Sequence, residues 1–269
     1  MISIVELQSR EGGSAVNFSG KTALITGGAQ GIGASIAGKL LALDANVVVA
    51  DMNKEIGETF VQGWADQGKQ AVFTLCDVTK SEDIQAAAAL AEERFGGVDI
   101  LVNNAGIFPR ATLLETDEVL WDRIMNINLK GAFMACKAVV PLMIRRGGGS
   151  IVNIGSLHAG KGGEDLFAYA ISKGGIVTLT RNLAHALAKH RIRANCVHPG
   201  WVASEGEREL WRQKGKEEDW LNAQGENIPL GRLQTVGDIA ETILFLSSDN
   251  ASQVTGQSVA VDGGLGFLM

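Results

Sequence analysis

Thr22-Ala23-Leu24-Ile25-Thr26-Gly27-Gly28-Ala29-Gln30-Gly31-Ile32-Gly33 passes from an apolar, β-branched run into a glycine-rich turn and on into a helical pattern. Strand, turn and helix in that order make the setting a phosphate-binding turn needs. Small residues let a pyrophosphate approach the backbone amides at the helix N-terminus, where the dipole favours negative charge. The spacing is Gly-x-x-x-Gly-x-Gly (Gly27, Gly31, Gly33), not the commoner Gly-x-Gly-x-x-Gly, and a turn of this kind alone serves structure as readily as a nucleotide. Asp51 adds weight. It ends the next apolar run about twenty residues on, where a carboxylate accepts bonds from the adenosine ribose hydroxyls and repels a 2′-phosphate. Gln30, Met52 and Asn53 supply no cation for such a phosphate, so NAD is favoured over NADP.

The same rhythm continues along the chain. Apolar runs at 22–26, 46–50, 71–75, 100–103, 150–154, 193–198 and 258–261 alternate with helical patterns at 33–43, 54–67, 82–95, 118–145 and 167–190. Most of the strand runs are continuous in Val, Ile, Leu and Ala, as expected for strands covered on both faces. Alternation throughout implies right-handed βαβ units and a single α/β domain: a doubly wound, Rossmann-type seven-stranded parallel sheet with helices on both faces. Residues 1–20 have weak periodicity and read as an N-terminal arm, so the domain is taken as 21–269. The segment 203–227, charged and carrying Trp211 and Trp220, interrupts the rhythm.

Composition narrows the class. The 269 residues are 46% hydrophobic and 20% charged, with a net charge of −6 and no basic block. That argues against nucleic-acid or anionic-membrane partners. No apolar run is expected to approach a membrane span, and the first ten residues lack the basic start of a signal peptide. Cys76, Cys136 and Cys196 are scattered, with no Cys-x-x-Cys pair, and read as reduced buried hydrophobes in a cytoplasmic protein. No metal spacing is present; His185, His190 and His198 read as structural or surface residues.

The chemistry centres on Tyr169, the one tyrosine of the chain, with Lys173 four residues on and Ser156 thirteen residues upstream. On a helix the phenol and ammonium share a face. A phenol is a poor base at neutral pH, and an adjacent Lys⁺ favours the phenolate and brings it toward working range. A base beside a redox cofactor reads as alcohol–carbonyl chemistry.

Together these residues resemble the short-chain dehydrogenase/reductase family, from about Lys21 to the C-terminus. The resemblance is carried by 26–33, Asp77-Val78, Asn103-Asn104-Ala105-Gly106, Asn128 within Asn126-Ile-Asn-Leu-Lys-Gly131, Ser156, Tyr169-x-x-x-Lys173 and Pro199-Gly200. It implies a catalytic tetrad of Asn128, Ser156, Tyr169 and Lys173. It also implies a cofactor cradle of Gly27, Gln30, Gly31, Ile32 and Gly33, of Asp51 and Met52, and of Asp77 and Val78 at the adenine. Asn104, Ala105 and Gly106 complete the nucleotide side. Pro199, Gly200, Val202 and Ser204 face the nicotinamide, with Ser204 standing where the family usually has threonine. Tyr169 and Lys173 touch the cofactor as well. In this scheme Tyr169 takes the hydroxyl proton and Lys173 lowers the phenol pKa and binds the ribose. Ser156 holds the substrate oxygen, and Asn128 interrupts its helix to hold a relay water. The segment 203–227 falls where the family that the chain resembles places a small helical lid.

The substrate mouth, 157–168, is polar. His158 follows the serine in a Ser-x-His pattern that resembles glucose 1-dehydrogenases of the family, and Glu164 and Trp201 join it as substrate candidates. Arg110 is read as solvated. The expected substrate is a sugar or other small polyhydroxylated alcohol. The alternatives are a reductase of 3-oxoacyl or cyclic ketone substrates and, more remotely, a non-catalytic NAD-binding protein. The apolar end 265–269, with the family's habit, implies a homotetramer.

Overall fold

The computed structural model describes residues 16–268. Seven strands form one parallel sheet in the order β3-β2-β1-β4-β5-β6-β7. They are β1 (Thr22–Thr26), β2 (Asn46–Asp51), β3 (Ala71–Leu75), β4 (Ile100–Asn103), β5 (Gly149–Ile154), β6 (Ile192–Pro199) and β7 (Ser258–Val261). Each matches its expected run to within a residue or two, and the order reverses between the adjacent strands β1 and β4, the point where doubly wound sheets bind nucleotides.

Side chains alternate across each strand and meet helices on both faces. Ile25, Val47, Val49 and Val102 point to one face, against Ile36 and Leu40 of α1 (Gly31–Ala42). Ile239 and Ile243 of α10 (Val236–Ser247) join that core. Leu24, Val48, Leu101 and Ile151 point to the other face. There they meet Ile84 and Ala88 of α3 (Ser81–Phe95) and Ala135, Val139 and Met143 of α5 (Gly131–Arg146). Continuous apolar strands are the direct result. The remaining edge helix is α2 (Lys54–Ala65), capped by the Asn53 side chain.

Three features differ from the expectations. Residues 1–15 of the expected arm lie outside the described residues. Phe18, inside the expected arm, is buried and its amide donates to Leu43 O at 3.2 Å, so the packed domain begins ahead of residue 21. The expected 118–145 helix is three pieces: α4 (Glu118–Met125), a π segment (Asn126–Lys130) and α5. Read as one helix, Glu118–Arg146 is long and apolar enough to cross a membrane by length and composition, contrary to the expectation that no run would be. Its apolar stripe is instead spent on the sheet through Ala135, Val139 and Met143. Cys76, Cys136 and Cys196 are buried free thiols, pushed up to about 12, 12 and 11 chiefly by burial.

Candidate active site

The candidate residues gather at the carboxyl ends of the strands. The turn after β1 shows why glycine is needed there. Gly27 has φ of +62° and lies against Ala105, while a Cβ on Gly33 would come within 2.1 Å of the Gly27 carbonyl oxygen. The turn is clamped from β4. Asn104 Nδ2 donates to the carbonyls of Thr26 and Gly27 at 3.1 and 2.7 Å, and the Thr26 hydroxyl accepts the amides of Asn104 and Ala105. The structural role of Thr26 was hidden inside the quoted strand. Asp51, at the end of β2, accepts the Ala29 amide at 3.0 Å and the Asn53 amide at 3.0 Å, tying the second strand to the turn. Met52 beside it is exposed.

This cradle fits a dinucleotide. The N-terminus of α1 has no side-chain cap and no acidic residue in its first turn, so its leading amides are left for an anion. A Cβ at Gly31 would meet open space. Gln30 is exposed, Ile32 is half-buried, and Gly33 is buried beneath them. Further along the rim Asp77 accepts from the Thr79 amide and hydroxyl; burial pushes its carboxyl up, and those two bonds outweigh it to leave the pKa low. Val78 is buried beside it.

At the centre, Tyr169 and Lys173 lie four apart on α7 (Phe167–Leu187), with Lys173 Nζ 5.7 Å from the phenol ring centroid. Ser156 follows β5, and its side chain hydrogen-bonds the Tyr169 phenol. The expectation that Lys173 brings the phenol down toward working range needs correction. Burial holds the Tyr169 pKa above its usual value, opposed by the Ser156 bond. Lys173 is the group displaced: burial takes it down to about 8, and its ammonium donates to Ile154 O at 2.8 Å rather than to the phenol oxygen.

Asn128 does interrupt its helix, inside the π segment, a common mark of functional sites. Its side chain is fully engaged: Oδ1 accepts the Ile107 amide, and Nδ2 donates to Ile107 O and Ser172 Oγ, at 2.8, 2.8 and 3.1 Å. It therefore pins the 104–107 segment beside Lys173. Ser172 is part of this network, its hydroxyl donating to Tyr169 O at 2.7 Å.

The mouth is more loosely tied to the centre. His158 begins the short turn α6 (His158–Lys161); its amide donates to Ser156 Oγ at 3.2 Å and its Nδ1 meets Gly162 O at 2.5 Å. Glu164 is exposed. Arg110, expected to be solvated, pairs with Asp165 at 2.6 Å, and the Ala111 amide donates to Asp165 O. Phe108, which no sequence pattern marked, sets its ring edge-on to Tyr169 at 6.4 Å and lines a cleft of about 320 Å³ with Ile107, Pro109 and Arg123.

Beyond β6, Val202 bridges Gln234, and Gly200 is closed over by Gln234 and Asp262. Ser204 caps α8 (Glu205–Gln213) by accepting the Glu207 amide. Trp201 sits in the lid's own core. Its indole donates to Glu207, and its ring lies 6.0 Å from Trp211 and 6.2 Å from Trp220 of α9 (Glu218–Gly225).

A second, larger depression of about 660 Å³, by Lys21, Asp99 and Arg191, lies at the opposite ends of the strands, away from all these groups.

Comparisons agree with the geometry. A family model described as Enoyl-(Acyl carrier protein) reductase matches residues 27–266. The chain is 41% identical over 250 residues to trans-4-hydroxycyclohexanecarboxylate dehydrogenase of Sinomonas cyclohexanicum, covering 91% of this chain and 92% of that protein. It is 35% identical over 246 residues to the 3-oxoacyl-(acyl-carrier-protein) reductase FabG of Chlamydia trachomatis serovar D, covering 91% and 97%. A solved structure from Agrobacterium tumefaciens, provisionally assigned as a gluconate dehydrogenase, matches with a TM-score of 0.87 at 32% identity, covering 94% of this chain and 98% of that one.

Proposed function

This chain belongs to the short-chain dehydrogenase/reductase family, oxidoreductases of alcohols and ketones that use a nicotinamide dinucleotide, and we propose that it is an NAD-dependent dehydrogenase of a small, polar secondary alcohol, a sugar or hydroxy acid. The observation that carries the cofactor choice is Asp51. Its carboxylate stands at the end of β2 against the glycine turn, followed in sequence by exposed Met52 and the capping Asn53 and no cation, so a 2′-phosphate would meet a negative charge.

When bound, the dinucleotide supplies the hydride acceptor or donor at its nicotinamide ring. The chain supplies the proton chemistry. Tyr169 as phenolate takes the proton of the alcohol, and as phenol returns one to a carbonyl. Ser156 donates to the same reacting oxygen, where charge develops, from a position fixed before substrate arrives. Lys173, buried on the same helix face with its pKa taken down to about 8 by burial, stands 5.7 Å from the phenol ring centre, where its ammonium would hold a nicotinamide ribose hydroxyl. Asn128 keeps the floor of the pocket rigid through Ile107 and Ser172.

For the substrate, the sugar or hydroxy-acid reading is supported by the polar character of 157–168, which holds His158, Glu164 and Asp165, and by Arg110, which pairs with Asp165. A second reading, a cyclic alcohol or ketone, is favoured by Phe108 beside Tyr169, by the exposed Leu113 and Leu114, and by the cyclohexane carboxylate relative. We further infer a homotetramer in the cytoplasm. The exposed Phe267 and Leu268 near the C-terminus support the assembly, and three reduced cysteines support the compartment. Met269 lies outside the described residues.

Initial rates on sugars, aldonic acids, polyols and cyclic alcohols with NAD⁺ and NADP⁺ test the reading. The expected result is turnover of a polar alcohol with NAD⁺. Preference for NADP⁺, or turnover of apolar ketones alone, would overturn it.

A further inference from the structure

His198 lies near the end of β6, at the active-site end of the sheet. Its ring is pressed onto the main chain of Gly155, where an added Cβ would lie 2.4 Å from Nδ1 and 2.6 Å from Cε1. The ladder between β5 and β6 runs one step past β5, through the Gly155 amide to Val197 O at 2.7 Å. At the next residue the ring takes over from the backbone: the Ser156 amide donates to His198 Nδ1 at 2.9 Å. An imidazole nitrogen accepts only when it carries no proton, so this bond requires a neutral ring with its hydrogen on Nε2.

We propose that His198 is the positioning residue of the serine. Its neutral imidazole anchors the Ser156 main chain so that the hydroxyl meets Tyr169 and the reacting oxygen, and protonation of the ring releases that anchor. The proposal rests on the reading of Ser156 as the donor to that oxygen.

The surroundings keep the ring neutral. Burial holds the His198 pKa below its usual value, and the Lys173 ammonium on α7 pushes the same way. Cys196, on the same strand, is a buried thiol that stays protonated. On β7 the register partner is Ala260, and the Asp262 carboxylate beyond it is engaged by the amides of Gly264 and Gly266.

The test is a pH titration of ¹⁵N-labelled protein, in which only four imidazoles must be resolved. At neutral pH the His198 ring should carry its hydrogen on Nε2, and on acidification the Ser156 amide should move with the ring at one shared midpoint. The kcat for carbonyl reduction should fall through that midpoint while NADH affinity stays flat. His198→Asn keeps an acceptor that does not titrate, and should erase the acid limb. His198→Ala should lower kcat about ten- to a hundred-fold with KM little changed. A hydrogen on Nδ1 at neutral pH, a Ser156 amide that ignores the ring, or an acid limb intact in His198→Asn would overturn the proposal. The spectra need no turnover and no variant. An inactive protein whose ring and amide titrate together would remove only the dehydrogenase reading, and an active one whose amide ignores the ring would remove only this inference.

Discussion

Around residues 27–33 the chain is held by contacts between main chains and by the part-buried Asn104 amide reaching across from the end of β4, whereas the substrate mouth and the lid add closures made by single side chains to their local turn bonds. In the first region Gly33 touches a carbonyl, Asn104 clamps two more, and Asp51 takes an amide from the turn. Each position admits one residue type for a steric or hydrogen-bonding reason. In the second, His158 closes onto Gly162, Arg110 onto Asp165 and Trp201 onto Glu207. Other pairs could close such loops as well. The cofactor end is thus rigid and chemically determined, and the substrate end is free to vary around a fixed base.

That contrast orders the expected effects of substitution. Gly33→Ala should be the most damaging, because the new methyl meets the Gly27 carbonyl and not a flexible side chain. We expect NADH affinity to fall more than a hundred-fold by fluorescence titration, with far-ultraviolet dichroism largely retained. Near-normal affinity would show that the turn does not hold the cofactor.

Asp51→Ala combined with Met52→Arg should move the preference from NAD toward NADP by at least about tenfold in the ratio of kcat/KM. An unchanged ratio would remove Asp51 from cofactor selection.

The Tyr169–Lys173 pair links the two ends, and its prediction concerns pH. Alcohol oxidation should accelerate as pH rises through the titration of Tyr169, the base, which burial holds above its usual value. The sign follows from the charge: the Lys173→Met variant loses any pull of an ammonium toward the phenolate, while the burial that raises Tyr169 and the Ser156 bond that opposes it both remain. In Lys173→Met the limb should therefore shift upward, and a limb that stays in place in the residual activity would break the assignment.

His158→Ala should have the smallest effect, about tenfold in kcat/KM for a polyhydroxylated substrate and little for a simple secondary alcohol. Equal losses on both would mean that His158 serves only to brace the serine loop, through its amide to Ser156 Oγ and its ring to Gly162.

The same contrast explains what could be read in the sequence. The seven strands were legible because parallel strands buried on both faces leave long apolar runs. The glycine turn and Asp51 were legible because only those residue types satisfy the local geometry. The break of the long helix into a π segment at Asn126–Lys130 was legible only as an expected role for Asn128, since its register has no composition signal. The partner of His198 could not be read, because its bond to the Ser156 amide joins residues 42 positions apart. Phe108 and the Arg110–Asp165 pair were missed for a similar reason: they exist only once two loops meet.

The measurement that bears most directly on the account is made on Tyr169→Phe. In one preparation, NADH binding is followed by fluorescence and hydride transfer by single-turnover absorbance with the best substrate of the panel. Loss of only the phenol oxygen should leave the dissociation constant within about twofold, while the transfer rate falls at least about a hundred-fold. A variant that binds NADH normally and still transfers hydride at a comparable rate would contradict the account, because the proton would then be handled by some other group.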